Sequence, residues 1–384
     1  MIFEFATASR VIFGAGKRHD AGALAAELGT HALVVTGSSP DRAAALLDAL
    51  AERSIPCEIV TMAGEPTLDT VAQATAQARA AGCSFVAAMG GGSALDAGKA
   101  IAALLGNGGE PLDYVEGVGR GQLLTRRSAP FLAMPTTAGT GSEVTRNAVL
   151  SVPDQRVKVS MRSRWMLPEV ALVDPELTYS MPQVVTASTG LDALTHLIEA
   201  YVCNRPSPLT DALCREGIRL AARALRRAYH DGADAGARSD MSLASLYGGM
   251  ALANARLGAV HGFAGPVGGM FPVPHGCACG RFLPYVMEVN VRALESRAPA
   301  APVLPRFAEI AGLLTDDNNA RPGDGVRWIQ ALCHELAVPS LSAYGMRETD
   351  IDELIDKAAR ASSMQGNPIL LTRDELRLLA SQAL

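Results

Sequence analysis

Asp192 and His196 stand four residues apart in GLDALTHLIEAY (190–201). On a helix that spacing puts a carboxylate and an imidazole on one face, where they can share a divalent cation. By itself the pair fits a surface Asp–His contact, or a buried His bonded to Asp, better than a metal site. The segment AVHGFAGPVGGMFPVPHG (259–276) adds His261 and His275. The chain has 7 histidines in 384 residues, and two fall in this stretch without charged side chains. Apolar neighbours leave an imidazole few partners besides a ligand. Three imidazoles and one carboxylate make a mixed nitrogen–oxygen set that suits Fe2+, Zn2+, Co2+ or Mn2+. Ca2+ and Mg2+ prefer oxygen alone. Asp192, His196, His261 and His275 are therefore the candidate catalytic and metal-ligating residues. Cys277 and Cys279 follow His275 closely, but C-x-C without C-x-x-C spacing or further partners reads as two small buried hydrophobes.

A second chemistry is written in glycine. FVAAMGGGSALDAGK (85–99) is a buried strand running into three glycines and Ser93, with a helix after them. Glycine lets the backbone approach a phosphate, and a helix N-terminus offers free N–H groups and a positive dipole end. A strand-to-helix turn needing unusual φ values would account for one glycine; three followed by Ser favour a pyrophosphate cradle. FLAMPTTAGTGSEVT (131–145) likewise passes from strand to a loop of small and hydroxyl residues. There Thr136, Thr137, Thr140 and Ser142 can donate to phosphate, ribose or carboxamide, and a well-capped loop is an equal reading. VIFGAG (11–16) mimics the start of a dinucleotide fingerprint, but the third glycine position holds His19, so a tight turn is the better reading.

The elements that must position these residues follow from periodicity. Continuous apolar runs at 32–36, 58–61, 84–89, 131–134 and 170–173 predict buried strands, and helical spacing at 41–53 and 67–81 predicts helices between them. That alternation means a parallel sheet covered on both faces. After Pro182 the pattern is helical: 185–202, 208–229, 240–257, 303–313, 324–336, 348–362 and 373–382, with a break expected in the Gly/Pro-rich 262–276. Two domains are expected, an α/β domain at 1–182 and a helical metal-binding domain at 183–384. A length of 384 residues agrees, since single cores stop growing at about 250–300 residues. Net charge is −5 with scattered Lys and Arg, which argues against nucleic acid. An odd count of 7 cysteines at irregular spacing is no disulfide framework and fits a reducing cytoplasm. No leader pattern opens the chain, and no apolar run reaches the ~18 residues a bilayer needs, so no membrane partner is expected.

MGGGSALDAGK, PTTAGTGSEVT, LPEVALVDPEL, GLDALTHLIEAY and VHG…PHG occur in this order. Together they resemble the iron-containing (group III) alcohol dehydrogenases, with a match running from VIFGAG at 11 to the Asn-Pro pair at 367–368. The resemblance implies an N-terminal Rossmann-like α/β domain and an all-helical C-terminal domain, the architecture of dehydroquinate synthase, with the site in the cleft between. It implies hydride transfer between NAD or NADP and a small-molecule alcohol or aldehyde, at a divalent metal that is iron(II) first and zinc second. It carries Asp192, His196, His261 and His275 over as the metal ligands. Gly91, Gly92, Ser93 and Asp96 are carried over to the dinucleotide phosphates, and Thr136, Thr137, Ser142, Lys158 and Leu177 to the rest of the cofactor. It also implies a homodimer formed through an N-terminal strand at residues 2–13.

Two positions depart from the family pattern. Relatives that bind NAD usually carry an acidic residue after the first βα strand, and this chain has Gly37, followed by Ser38, Ser39 and Arg42. Without the carboxylate nothing repels a 2′-phosphate, so NADP is as well suited as NAD. Four residues after His261, where many relatives place another His, stands Gly265. That widens the pocket and removes a titrating group. Two other readings share the architecture. A dehydroquinate-synthase-like lyase would need Lys and Arg around the metal for a phosphorylated sugar acid, and 186–204 and 257–280 hold no Lys. A maleylacetate-type carbonyl-acid reductase resembles the chain at Gly37 but tends to depart from the Asp-and-three-His set. A cofactor-binding protein without turnover is the non-enzymatic alternative.

Overall fold

Segments such as ALVVT, FVAAMG and FLAMP carry apolar side chains on both faces, so each is stable only in a sheet covered on two sides. The computed structural model, which describes residues 2–384, places them there. β1 (Arg10–Phe13), β2 (Ala32–Thr36), β3 (Cys57–Thr61), β4 (Phe85–Gly90), β5 (Phe131–Pro135) and β8 (Val170–Val173) form a parallel sheet in the order β1-β8-β5-β4-β2-β3. Helices α1 (Ala21–Leu28), α2 (Ala44–Glu52), α3 (Leu68–Ala81) and α4 (Gly92–Asn107) connect them, and α5 (Pro111–Tyr114) is a single turn. Alternate residues serve opposite faces. Leu33, Val35, Val86 and Ala88 join the core that α3 and α4 cover. Ala32, Val34, Phe85 and Ala87 join the core beneath α1 and α2. Each fully buried Val, Leu or Phe stabilises the sheet by about 1.5–3 kcal/mol. An antiparallel hairpin, β6 (Asn147–Val152) with β7 (Val157–Arg162), packs on α4; its alternating pattern is absent from the sequence reading.

The helices of the second part are α6 (Gln183–Val202), α7 (Pro208–His230), α8 (Ala235–Asn254), α9 (Ala259–Met270), α10 (His275–Arg297), α11 (Leu304–Thr315), α12 (Pro322–Glu335), α13 (Ile351–Arg360) and α14 (Arg373–Ala383). α6 is buried on all sides from Gly190 to Val202 and packs on α7, α8 and α10. The chain divides into two compact units, Ala6–Ser180 and Met181–Leu384, and residues 2–5 group with the helical unit, not with the α/β unit as the boundary 1–182 has it.

Two further expectations are corrected. The 262–276 stretch is not a break: α9 spans most of it, and α10 begins at His275. Gly276, and Gly280 just beyond the stretch, serve close helix packing. A Cβ at Gly276 would lie 1.9 Å from the Ser188 carbonyl oxygen on α6, and one at Gly280 2.6 Å from Leu191 Cδ1. None of these glycines takes positive φ. The strand expected at 2–13 is confined to Arg10–Phe13, which pairs in parallel with β8 at the edge of its own sheet.

Candidate metal centre and dinucleotide cradle

The order of the sheet fixes where a ligand can enter it. From β2 the chain moves outward to β3, and from β4 it moves the opposite way to β5, so the connections diverge between β2 and β4. In such sheets the crevice at the carboxyl ends of the diverging strands is the ligand site. Gly37 follows β2 and Gly90 ends β4, and a Cβ at Gly90 would lie 3.2 Å from the Gly37 nitrogen. α4 then starts with Gly91 as its N-cap and no side chain capping it, which leaves the positive end of a 16-residue helix for an anion. The loop after β5 lies against this turn. A Cβ at Gly92 would meet Thr140 Cγ2 at 2.6 Å, and one at Gly91 would meet Thr137 Cγ2 at 3.3 Å. Thr136 donates its backbone N–H to the Gly90 carbonyl, 2.9 Å. Gly90 and Gly92 thus have no room for a side chain, and Gly91 has little.

The remaining cofactor candidates have other partners. Ser142 donates its hydroxyl to Asp96 Oδ1 at 2.5 Å, and Asp96 Oδ2 accepts from the Val149 N–H of the hairpin at 2.8 Å. The buried Lys99 ammonium pairs with Asp96 at 3.2 Å and donates to Thr145 Oγ1 at 2.7 Å. Next to it, burial pushes the Glu143 carboxyl up to about 7, against its own backbone N–H and Lys99. Ser93 is half-buried in the first turn of α4, Ser38 is exposed, and Arg42 donates to the Ser180 carbonyl at 3.2 Å. Lys158 is ion-paired with Glu65 at 2.5 Å, and Leu177 packs into the core beneath α1 and α2. The structure therefore gathers Gly37, Gly91, Gly92, Thr136 and Thr137, ties Asp96 to Ser142, and engages Lys158 elsewhere.

In the helical unit three helices converge. α6 presents Asp192 and His196 one turn apart, α9 carries His261 in its first turn, and α10 opens with His275. Asp192 Oδ1 lies 3.6 Å from His261 Nε2, 3.7 Å from His275 Nε2 and 3.9 Å from His196 Nε2. The oxygen is buried and has no hydrogen-bond partner. Burial resists charge on Asp192, but His196, His275 and His261 together hold its carboxyl well below the usual carboxylate range. An anionic oxygen among three imidazole nitrogens, none within hydrogen-bond reach, is a donor set that a divalent cation completes. The side chains of Asp192, His196 and His261 are all but closed off, whereas that of His275 is 36 % exposed, so the centre opens on one side.

Two residues unmarked in the sequence belong to this centre. Glu199, one turn beyond His196 on α6, accepts from His261 Nδ1 at 2.6 Å and from the Val260 N–H at 2.7 Å. Its carboxylate fixes the imidazole with Nδ1 protonated and Nε2 turned to the cluster. Asn367, of the Asn-Pro pair, accepts from the Ala259 N–H at 3.1 Å and is bonded to Asn290. Gly258 precedes α9 and has no side chain to cap it, so Glu199 and Asn367 satisfy its first N–H groups from outside. Cys279, expected as a packing residue, faces the cluster: its Sγ is 3.8 Å from His261 Nε2 and 3.7 Å from His275 Nε2. Burial pushes this thiol up to about 12. Cys277 is buried away from that group of donors.

The chain matches known proteins along nearly its whole length. Residues 8–175 match the family model for iron-containing alcohol dehydrogenase, and residues 186–384 match that for the C-terminal part of the Fe-containing alcohol dehydrogenase family. Long-chain-alcohol dehydrogenase 1 of Geobacillus thermodenitrificans is 44 % identical over 321 residues, 83 % of this chain and 80 % of that one. The solved structure of a 1,3-propanediol oxidoreductase superposes with a TM-score of 0.91 at 32 % identity, covering 100 % of both chains. A sulfoacetaldehyde reductase from Bifidobacterium kashiwanohense, solved in complex with NAD+, superposes with a TM-score of 0.89 at 28 % identity over 100 % of this chain and 99 % of that one. With a cradle for a dinucleotide, a donor set for a divalent metal and these matches along nearly its whole length, the chain belongs to the iron-containing alcohol dehydrogenase family and is an NAD(P)-dependent alcohol dehydrogenase.

Proposed function

We propose that Asp192, His196, His261 and His275 hold the divalent metal of this enzyme, iron(II) first and zinc second, and that Gly91, Gly92 and Ser93 cradle the pyrophosphate of NAD(P). The buried, unpartnered Asp192 Oδ1 carries this assignment. When bound, the metal polarises an alcohol or carbonyl oxygen, and the nicotinamide takes or gives the hydride. The chain's own part is positioning. Glu199 sets the His261 tautomer, the partly open His275 side admits substrate, and the apolar walls of α6 and α9 exclude water from the other sides. Replacing His261 by Ala should lower metal content at least about tenfold, read by metal analysis after chelation, reloading and dialysis. Full metal retention in that variant would overturn the assignment.

Substrate and cofactor preference follow from two glycines. Gly265 lies one turn beyond His261 on the same face of α9, and the position of its absent Cβ has nothing within 4 Å. The substrate proposed is therefore a primary alcohol or aldehyde with a carbon chain longer than propanediol, in line with the name of the Geobacillus relative. Each added methylene buried there is worth about 0.8 kcal/mol, so kcat/KM should climb about fourfold per carbon until the space is filled. A Gly265→His variant should lose that climb and keep its metal. At Gly37 the missing carboxylate lets the enzyme use NADP as well as NAD. Gly37→Asp should disfavour NADPH by about tenfold or more, and equal NADPH affinity in wild type and variant would contradict this reading. We place the enzyme in the cytoplasm on its seven free cysteines. No described helix is long and apolar enough to cross a membrane. The homodimer is proposed to form through the N-terminal segment, where Ile2 is 102 % exposed, with sedimentation of a chain lacking residues 2–9 as its test.

A further inference from the structure

Cys279 stands four residues after His275 on α10, one turn along the same face. Its sulfur is 3.7 Å from His275 Nε2 and 3.8 Å from His261 Nε2, and Asp192 Oδ1 is 3.7 Å and 3.6 Å from the same two atoms. All four donor atoms lie within 4.8 Å of one another. Donors that share one metal at bonds of about 2.0–2.3 Å stand about 3.3–3.8 Å apart when they are neighbours in a tetrahedral arrangement, and the four separations between the two imidazole nitrogens and the sulfur and carboxylate oxygen fall in that range. His196 Nε2, at 3.9 Å from Asp192 Oδ1, is the more distant histidine. The second observation is independent of the sulfur. Asp192 is 3 % exposed, and its Oδ1 points into this space with no hydrogen-bond partner. A buried thiol that only packs would face apolar side chains; this one faces two imidazole nitrogens and a carboxylate oxygen.

We propose that Cys279 is itself a ligand of the metal, binding through its thiolate sulfur beside Asp192, His261 and His275. This rests on the metal centre assigned above and adds a soft donor to it. Metal uptake releases the thiol proton to solvent. Thiolate favours zinc and cobalt over iron(II) relative to a set of nitrogen and oxygen alone, so the sulfur tunes which metal the protein keeps from a mixture.

X-ray absorption at the zinc edge of the full zinc-loaded chain tests this without reference to turnover. The wild type should show a sulfur neighbour at about 2.3 Å, and Cys279→Ser should show nitrogen and oxygen alone. The cobalt-loaded wild type should carry a near-ultraviolet thiolate-to-cobalt charge-transfer band that the variant lacks. In competition for a zinc and iron(II) mixture the variant should shift about tenfold toward iron. Zinc bound by the wild type with no sulfur neighbour overturns the role of Cys279 and leaves the Asp192 and histidine set standing. A wild type that takes up no zinc, cobalt or iron overturns the centre itself. Should Cys279→Ser fail to fold, the wild-type spectrum decides alone.

Discussion

Glu199 shows how much one side chain can be asked to do. Its carboxylate holds His261 Nδ1 and two N–H groups of α9. Glu199→Gln should weaken metal binding by about 10–100-fold, measured by competition with a chelator, because a neutral amide no longer sharpens the donor strength of His261 Nε2. Glu199→Ala should also cost about 1–2 kcal/mol of stability through the lost cap. Glu143 gives a pH signature. Burial pushes its carboxyl up to about 7 from an ordinary 4.5. A raised folded value means the stability it contributes is fully present below 4.5 and is lost as pH rises through 7. Glu143→Gln should therefore flatten the fall of melting temperature between pH 5 and 7.5, where the wild type loses at most about 1.4 kcal/mol per pH unit from this group; an unchanged slope would contradict the burial. The candidate ligands were legible because histidine is rare here and sits in uncharged sequence. Glu199 and Cys279 were not. A glutamate that meets a helix terminus 61 residues away looks, in HLIEAY, like one that meets water.

Helices and strands were legible where one physical cause dominates. The runs at 32–36 and 170–173 coincide with β2 and β8, because continuous Val, Leu and Ala can only be a doubly covered strand. α9 was missed because glycine argues against a helix locally, and its tertiary purpose is invisible in one dimension. The hairpin β6–β7 was missed for want of a tight-turn signature: Arg156 takes the left-handed conformation there, with φ of 52°, where glycine or asparagine would have announced it. Close helix packing gives a test. Gly276→Ala would place a methyl 1.9 Å from the Ser188 carbonyl, so α10 must move off α6. The expected cost is about 1–3 kcal/mol or more, read as a lower melting temperature. Metal affinity should fall with it, since α6 carries Asp192 and His196 while α10 carries His275.

At the scale of the whole molecule, every donor of the proposed metal centre comes from Met181–Leu384, and the proposed cradle comes from Ala6–Ser180. Chelation should therefore expose the amides of α6, α9 and α10 to hydrogen exchange while those of β4 and α4 keep their protection. Adding NAD(P)H should protect the first turn of α4, since a ligand stabilises what it binds. Loss of protection at β4 on chelation would mean the metal supports both units. The α/β and helical parts were legible from the change of period near Pro182, but the company kept by residues 2–5 was not, because no local pattern tells a chain end where to dock. For the molecule as a whole, the cap that Glu199 places on α9 works as an inspection step. A chain in which Glu199 is misplaced loses both its hold on the His261 ring and two N–H bonds at the start of α9, so a defect at the proposed metal centre also weakens the fold. Loss of that one carboxylate is therefore felt as lower stability even with no substrate present.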